Sequence, residues 1–210
     1  TLSNMGLPVQ RDKILSAAFA TSLYLQKQKY RTCLGIISDA VQEDFADVNL
    51  VDGKKVVADA VDDNIDAVVI GDIDRGWTYN IMNRLFNLLM EGSDFVAMHR
   101  GKYWQTAEGL RMDIGAIVAG LEYVTGKKVA AVGKPEKTFF EMGLSRLGLD
   151  AKETAMIGDD VESDVGGAQN ADLYGILPKT GKYREDSYQA STITPDAVIE
   201  SITELQDILL

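Results

Sequence analysis

Short apolar segments that are typical of buried strands alternate along the chain with amphipathic segments that are typical of helices. This alternation predicts parallel strands joined by right-handed helical crossovers, so that an α/β fold is the expected class. In such a sheet the reactive groups gather at the carboxyl ends of the strands. The expected strands are residues 32–37, 67–71, 94–98, 128–132, 153–157 and 173–177.

Capping residues set the expected limits of the helices. Asp12 and Thr78 are typical first caps, and Gly92 and Gly126 are typical last residues of a helix. Pro135 is favoured in a first helical turn. Residues 39–65 predict only a short helix and a looped connection. The expected helices are residues 12–28, 78–92 and 114–126, one beginning at Pro135, then 161–170 and 203–210.

Charge and cysteine content limit the class of protein. The 210 residues carry a formal charge of −11, which argues against a nucleic-acid binder, because such proteins present a basic face. No apolar run approaches the roughly 18 residues that a membrane span needs. Cys33 is the single cysteine and lies in an apolar stretch. We therefore expect a buried structural thiol and a reducing, cytoplasmic compartment.

One sequence feature suggests a nucleophile directly. Asp72-Ile73-Asp74 follows the apolar segment 67–71 and is the only Asp-x-Asp in the chain. Magnesium-dependent phosphoryl-transfer enzymes present a nucleophile and a metal ligand in this way. The alternative is a turn in which the carboxylates cap a helix or pair with Arg75.

Two strand ends in the C-terminal half carry a second set of reactive groups. Lys134 follows a strand and precedes a helix, and both its charge and the helix N-terminus favour an anion. Four acids follow the next strand, and oxygen ligands of this kind suit Mg²⁺. Asp159 is the favoured metal ligand among them, whereas Asp160 and Glu162 fit an acidic helix start. The pair of strand ends predicts a site for a phosphoryl group, with the acids Asp159, Asp160, Glu162 and Asp164.

The segments VGKPEKTFF, MIGDDVESDVGGAQNADLYGIL and KTGKYR resemble the haloacid dehalogenase superfamily of phosphatases, and within it the 4-nitrophenylphosphatase-like subfamily IIA. The resemblance implies a Rossmann-like core with a parallel sheet and an inserted α/β cap domain. It also implies Mg²⁺ and an aspartyl-phosphate intermediate. The first motif of the family is an Asp-x-Asp with the nucleophile, the second supplies a Ser or Thr, the third a lysine and the fourth metal-binding acids. Lys134 would be the third-motif lysine and Asp159 the fourth-motif metal ligand. Asp164 would support the water shell of the metal, or Lys134.

The resemblance argues against Asp72 as the nucleophile. The first motif of the family has Thr or Val where this chain has Gly76, and His99 ends the strand where a Ser or Thr would be expected. We therefore expect Asp72 to lie in the cap. The true first two motifs are expected before Thr1, so that the chain would be truncated, would lack the first core strand and the nucleophile, and would be inactive alone.

The same comparison suggests domain limits and partners. Residues 1–11 would be a remnant of the core, 12–128 the cap, and 129–210 the core with the third and fourth motifs. The loop 99–106 is a candidate for substrate binding through His99, Arg100 and Tyr103, and its alternative is an exposed hairpin tip. Expected partners are a small phosphorylated metabolite or phosphorylated side chain, without nucleic acid or membrane, and a second copy bound through the cap.

The sequence is also compatible with two other functions. A phosphoacceptor receiver domain also groups acids, a threonine and a lysine around Mg²⁺, but its acids precede its lysine, the reverse of Lys134 before Asp159. A catalytically silent truncated isoform, acting as an interaction protein, would keep the cap surface without the nucleophile.

Overall fold

The computed structural model describes residues 5–54, 64–106 and 108–206 and forms two compact units, 1–133 and 134–210. Each unit contains a parallel β-sheet with helices, which confirms the predicted α/β class. Residues 55–63, within the connection predicted over 39–65, lie outside the described residues. In the described ranges, no helix has both the length and the apolar character that crossing a membrane requires.

The first unit is built on a five-stranded parallel sheet with the strand order β2-β1-β3-β4-β7. A separate antiparallel hairpin, β5–β6, follows β4 in the chain. The strands are β1 (Cys33–Ile36), β2 (Leu50–Asp52), β3 (Ala67–Ile70), β4 (Asp94–Ala97), β5 (Tyr103–Thr106), β6 (Gly109–Met112) and β7 (Ala130–Ala131).

The central strands of this sheet are covered on both faces. Every residue of β1 and β3 is buried, as expected for parallel strands between two layers. Leu34 and Val68 belong to a cluster that also contains Leu85, Leu89 and Leu121 from the helices. Cys33, whose side chain points to the other face because successive side chains alternate, is completely buried, as predicted.

Three helices complete the first unit: α1 (Ala17–Gln28), α2 (Tyr79–Glu91) and α3 (Gly115–Thr125). Thr78 Oγ1 accepts a hydrogen bond from Ile81 N at 3.3 Å, so the predicted cap of α2 is confirmed. The predicted cap of α1 is wrong. Ser16 Oγ accepts from Phe19 N at 3.0 Å, whereas Asp12 lies in a separate 3₁₀ turn, Arg11–Lys13. The chain is extended at Ile14, so no helix continues from that turn.

The second unit contains a three-stranded parallel sheet with the order β10-β9-β8. Its core includes Phe140 packed with Ala168 and Leu173. The elements are α4 (Lys137–Leu147), β8 (Ala155–Ile157), α5 (Gly167–Asn170), β9 (Tyr174–Pro178), α6 (Glu185–Ala190) and β10 (Ala197–Ile199).

Several predicted elements differ from the structure. The strand β2 replaces part of the loop expected over 39–65. The strand expected over 128–132 is shorter and joins the sheet of the first unit through β4. The helix expected over 161–170 is a π-helical turn, Val161–Gly166, followed by α5. The helix expected over 203–210 is described only as a 3₁₀ turn, Ile202–Glu204, and residues 207–210 lie outside the described residues.

Candidate active site

Lys134 and Asp164, thirty residues apart in the chain, meet in the second unit. Lys134 Nζ donates a hydrogen bond to Asp164 Oδ1 at 2.6 Å. The side chain of Asp164 is only 7% exposed, and that of Lys134 is 36% exposed. Such a partner is needed, because an unpaired buried carboxylate is strongly destabilising. The ammonium has three donors and faces solvent in part, so it can also contact a bound anion.

The backbone between β8 and the next helical turn brings Asp164 close. Gly158 N donates to Ile176 O at 3.1 Å and so extends the pairing of β8 with β9. A Cβ atom at Gly158 would overlap the side chain of Asp164, so this approach requires glycine. Asp160 is occupied as a helix cap, as predicted: its Oδ1 accepts from Glu162 N at 3.2 Å and from Ser163 N at 3.0 Å.

Asp164 is fixed within a π-helical turn. Asp160 O accepts hydrogen bonds from both Asp164 N, at 2.9 Å, and Val165 N, at 3.3 Å, which widens the turn. Asp164 Oδ2 accepts in return from Asp160 N at 3.2 Å. Both oxygens of the carboxylate are therefore engaged, one by the backbone and one by Lys134. π-Helical turns are frequent at functional sites.

The loop after β9, which contains the segment KTGKYR, holds the carboxylate of Asp159. Lys182 N, in the loop after β9, donates to Asp159 Oδ2 at 2.8 Å. Gly181 precedes it with a φ of 60°, and a Cβ atom there would overlap the carboxylate of Asp159. The available signal was a glycine shortly after a predicted strand, which often marks a close backbone approach.

Among the acids of this turn, Asp159 has a carboxylate oxygen available for a magnesium ion. Asp159 Oδ1 accepts no hydrogen bond from the described residues and can bind a cation. Within the described ranges, no group of three or more His, Cys, Asp and Glu side chains is arranged to hold a metal. Mg²⁺ does not require such a cage, since it keeps several waters and is often bound by one or two carboxylates plus a substrate phosphate.

Asp72 lies in the first unit and is engaged in its own turn. Its Oδ1 accepts from Asp74 N at 2.7 Å, which is an Asx turn. Asp74 has a φ of 49° and its Oδ1 lies 3.2 Å from Arg111 Nη1. The salt bridge of Asp74 is therefore made with Arg111, on β6, and not with the neighbouring Arg75 that the sequence suggested.

The three residues suggested for substrate binding lie at the start of the β5–β6 segment. Arg100 makes hydrogen bonds with Glu122 at 2.8 and 3.4 Å. His99 Nδ1 accepts from Gly101 N at 3.2 Å. Tyr103 is 63% exposed. The guanidinium of Arg100 is thus already occupied, and its part in substrate binding stays a prediction like those of His99 and Tyr103.

The chain resembles hydrolases along its whole length. A family model described as HAD-hydrolase-like matches residues 131–205. Bovine (Bos taurus) haloacid dehalogenase-like hydrolase domain-containing protein 2 is 35% identical over 209 residues, an alignment that covers all of this chain and 76% of that protein. Mouse (Mus musculus) phospholysine phosphohistidine inorganic pyrophosphate phosphatase is 31% identical over 211 residues and is covered to 73%.

Solved structures show the same relationship. The p-nitrophenyl phosphatase from Archaeoglobus fulgidus superposes with a TM-score of 0.86 at 24% identity, covering 99% of this chain and 78% of that one, which demonstrates a shared fold. The 4-nitrophenylphosphatase from Thermotoga maritima gives a TM-score of 0.84 at 26% identity, with coverages of 98% and 76%.

The chain therefore belongs to the haloacid dehalogenase-like hydrolase family. The predicted resemblance to its 4-nitrophenylphosphatase-like branch is confirmed, and so is the expectation of an enzyme of phosphatase type. The sequence motifs resemble those of the subgroup of haloacid dehalogenase-like hydrolase domain-containing protein 2, which is among these relatives. The receiver-domain alternative is set aside by this membership.

Proposed function

We propose that the protein is a Mg²⁺-dependent phosphomonoester hydrolase that works through an aspartyl-phosphate, with Lys134, Asp159 and Asp164 in its active site. The observation that carries the proposal is the 2.6 Å bond between Lys134 Nζ and Asp164 Oδ1. It places a cation among the acids that follow β8, at the carboxyl edge of a parallel sheet, where α/β proteins bind ligands.

Lys134 would stabilise the negative charge of the phosphoryl group. A phosphoryl group spreads negative charge over its oxygens in the transition state, and a preorganised ammonium stabilises that charge. Asp164 would act as a positioning residue, since its buried carboxylate fixes the direction of the Lys134 side chain.

Asp159 would hold Mg²⁺ through its Oδ1 atom, because Oδ2 is bound to Lys182 N. When bound, the ion would neutralise charge on the phosphoryl oxygens. The backbone of the Gly181-Lys182 loop would keep the Asp159 carboxylate oriented, as hydrogen bonds to metal-binding carboxylates do elsewhere.

The proposal assigns no nucleophile within the described residues. We do not assign that role to Asp72, because it lies in an Asx turn of the first unit and Gly76 stands where the first motif of the family has Thr or Val. By resemblance to the family, an aspartate of an Asp-x-Asp-x-Thr motif would attack phosphorus and release the alcohol, and water would then hydrolyse the acyl phosphate.

The first unit would act as the cap that selects the substrate. The division between Gly133 and Lys134 lies a few residues after the boundary at 128 suggested by the sequence. A small phosphorylated metabolite or a phosphorylated side chain is the proposed substrate class, with His99, Arg100 and Tyr103 as candidate contacts. The names of the relatives, which include a phospholysine phosphohistidine inorganic pyrophosphate phosphatase, are compatible with either class.

A second candidate function is an interaction protein that keeps the cap surface and lacks catalysis. The β5–β6 hairpin supports it, because Trp104, Leu110 and Met112 are all exposed there. Exposed apolar groups of this kind often mark contact surfaces. The same hairpin supports the proposal of a homodimer through the cap. The single buried Cys33 is compatible with the proposed cytoplasmic location.

The proposed chemistry can be tested in a form of the protein that hydrolyses 4-nitrophenyl phosphate. We expect release of inorganic phosphate to require Mg²⁺, to stop with excess EDTA and to return when Mg²⁺ is restored. Acid quenching during turnover should leave phosphate on the protein that hydroxylamine releases, as an acyl phosphate would. Glu162→Gln should keep both the activity and its dependence on Mg²⁺, because Glu162 is an exposed acid of the same turn that accepts a hydrogen bond from Ser191 and is not a proposed metal ligand. Full activity in EDTA would refute the proposal.

A further inference from the structure

A large cleft opens in the first unit at the carboxyl ends of its parallel strands. Its volume is about 860 Å³, which lies in the range of small-molecule sites. Residues that follow β1, β2, β3 and β4 line it, together with the first turns of α2. Arg84, Lys54 and His99 are among these lining residues.

Arg84 is the unusual group in this cleft. Its residue is 8% exposed, yet none of its three guanidinium nitrogens has a hydrogen-bond partner among the described residues. Burial lowers the pKa of Arg84. Buried arginines are normally paired, because an uncompensated buried charge is costly. An unpaired guanidinium on the wall of a cleft therefore indicates a missing anionic partner.

The other charged groups that line the cleft already have partners within the described part of the chain. Lys54 Nζ donates to Ile37 O at 2.7 Å and pairs with Asp39. Asp74 pairs with Arg111. Asp72 accepts from Asp74 N. None of these acids makes a salt bridge with Arg84, so no described residue of the cleft neutralises the charge of its guanidinium.

Helix α2 adds a second reason to expect an anion. Arg84 lies in the second turn of this 13-residue helix, and Thr78 and Asn80, at its N-terminal end, also line the cleft. The first N–H groups of a helix and its dipole both favour negative charge. The guanidinium and the helix end thus contribute to the same cleft.

We propose that this cleft binds a small molecule through an oxyanion, either a carboxylate or a phosphoryl group, which makes paired hydrogen bonds with Arg84. The planar guanidinium suits two-oxygen edges of this kind. The acids around the cleft disfavour large polyanions, since a ligand with several negative charges would face Asp39, Asp72 and Asp74. This site is argued from the first unit alone and does not depend on the proposed phosphatase activity.

His99 provides a direct readout, because it is the only histidine of the chain and lines the cleft. We would follow its ring protons by NMR while sodium phosphate, sodium acetate or sodium chloride is added at constant pH and matched ionic strength. A saturable shift with phosphate alone would identify a phosphoryl site, and one with acetate a carboxylate site. No saturable shift with either oxyanion would overturn the proposal.

Variants separate this site from other binding. Arg84→Met should abolish the saturable shift, whereas Arg75→Met, an exposed arginine before the same helix, should retain it. In chloride alone, Arg84→Met should melt at the same or a higher temperature than the unmodified protein, because it removes an unpaired buried charge. A shift that survives Arg84→Met, or that disappears in Lys134→Ala, would contradict the proposal.

Discussion

The two units both place carboxylates in the segment that follows a parallel strand, but they use these groups differently. In the first unit Asp72 follows β3 and binds the backbone of its own turn, at Asp74 N. In the second unit Asp164 follows β8 and binds an ammonium from a segment thirty residues earlier, at Lys134. The difference indicates that the candidate phosphoryl site lies where a partly exposed ammonium is fixed by a buried carboxylate, as Lys134 is by Asp164, and not at the Asp72 turn.

The largest effect on activity is expected from the second unit, at Lys134. In a form that hydrolyses 4-nitrophenyl phosphate, Lys134→Ala should lower kcat by about 10²–10³-fold, because a charge that stabilises the transition state is lost. Lys137→Ala is the matched control, since Lys137 lies on α4 and makes only a loose, exposed pair with Asp172 at 3.7 Å. Equal losses of kcat in the two variants would show that Lys134 is not part of the active site.

The close contact between Gly158 and Asp164 can be disturbed by a substitution that changes no charge. Gly158→Ala should lower the free energy of unfolding by about 1–3 kcal/mol, because the added methyl group overlaps the side chain of Asp164. In the first unit, Gly120→Ala should raise it by up to about 1 kcal/mol, since this glycine lies inside α3 with open space around it. Denaturant titration of both variants would measure the contrast.

The buried ion pair itself can be compared with an exposed one. Asp164→Asn should lower the free energy of unfolding by about 1–2 kcal/mol, since the ammonium of Lys134 loses a charged acceptor. Asp172→Asn, in the exposed pair with Lys137, should change it by less than about 0.5 kcal/mol. If thermal and chemical denaturation gave equal values for the two, the burial of Asp164 would have no energetic role.

The carboxylates of the first unit should show their role through pH. Asp66 Oδ2 accepts from Arg31 N at 2.6 Å and Thr32 N at 3.1 Å, and these hydrogen bonds lower the pKa of Asp66. The stability that this group adds is present above the ordinary carboxyl pKa and is lost as the pH falls through the lowered folded value.

Melting temperatures between pH 7 and pH 3 would test this expectation for Asp66. Asp66→Asn should be less stable than the unmodified protein near pH 7, and the difference should shrink as the pH falls. Glu141→Gln, an exposed acid of the second unit, controls for the loss of one charge. A difference that is independent of pH would show that the ionised form of Asp66 contributes nothing.

Much of the fold could be predicted from the sequence because local signals were strong. Thr78 and Gly92 delimit α2 as expected, since a hydroxyl cap and a glycine with positive φ are local requirements. The start of α1 was misplaced because Ile14 extended the apolar pattern beyond Ser16. Strand β2 was missed, since Leu50–Asp52 is three residues long and mixed in polarity.

The candidate site was only partly predictable. Parallel topology brings Lys134 and the acids after β8 toward one region, and the family resemblance suggested Asp164 as a support for Lys134 or for the water shell of the metal. The π-helical turn that presents Asp164 to Lys134 has no sequence signal. The hydrogen bond from Lys182 N to Asp159 depends on the path of the loop after β9, which the sequence does not specify. Arg84 could have been noticed, because it lies on the apolar face of α2 three residues after Ile81 and four before Leu88.

The most direct test of the account compares Asp159→Asn with Asp72→Asn in kcat/KM for 4-nitrophenyl phosphate, at saturating Mg²⁺. Each variant replaces a strand-end aspartate with its nearest neutral equivalent, one in each unit. We expect Asp159→Asn to lower kcat/KM by at least about 100-fold and Asp72→Asn to change it by less than about threefold. An equally severe loss from Asp72→Asn, with an unchanged circular dichroism spectrum, would contradict the account.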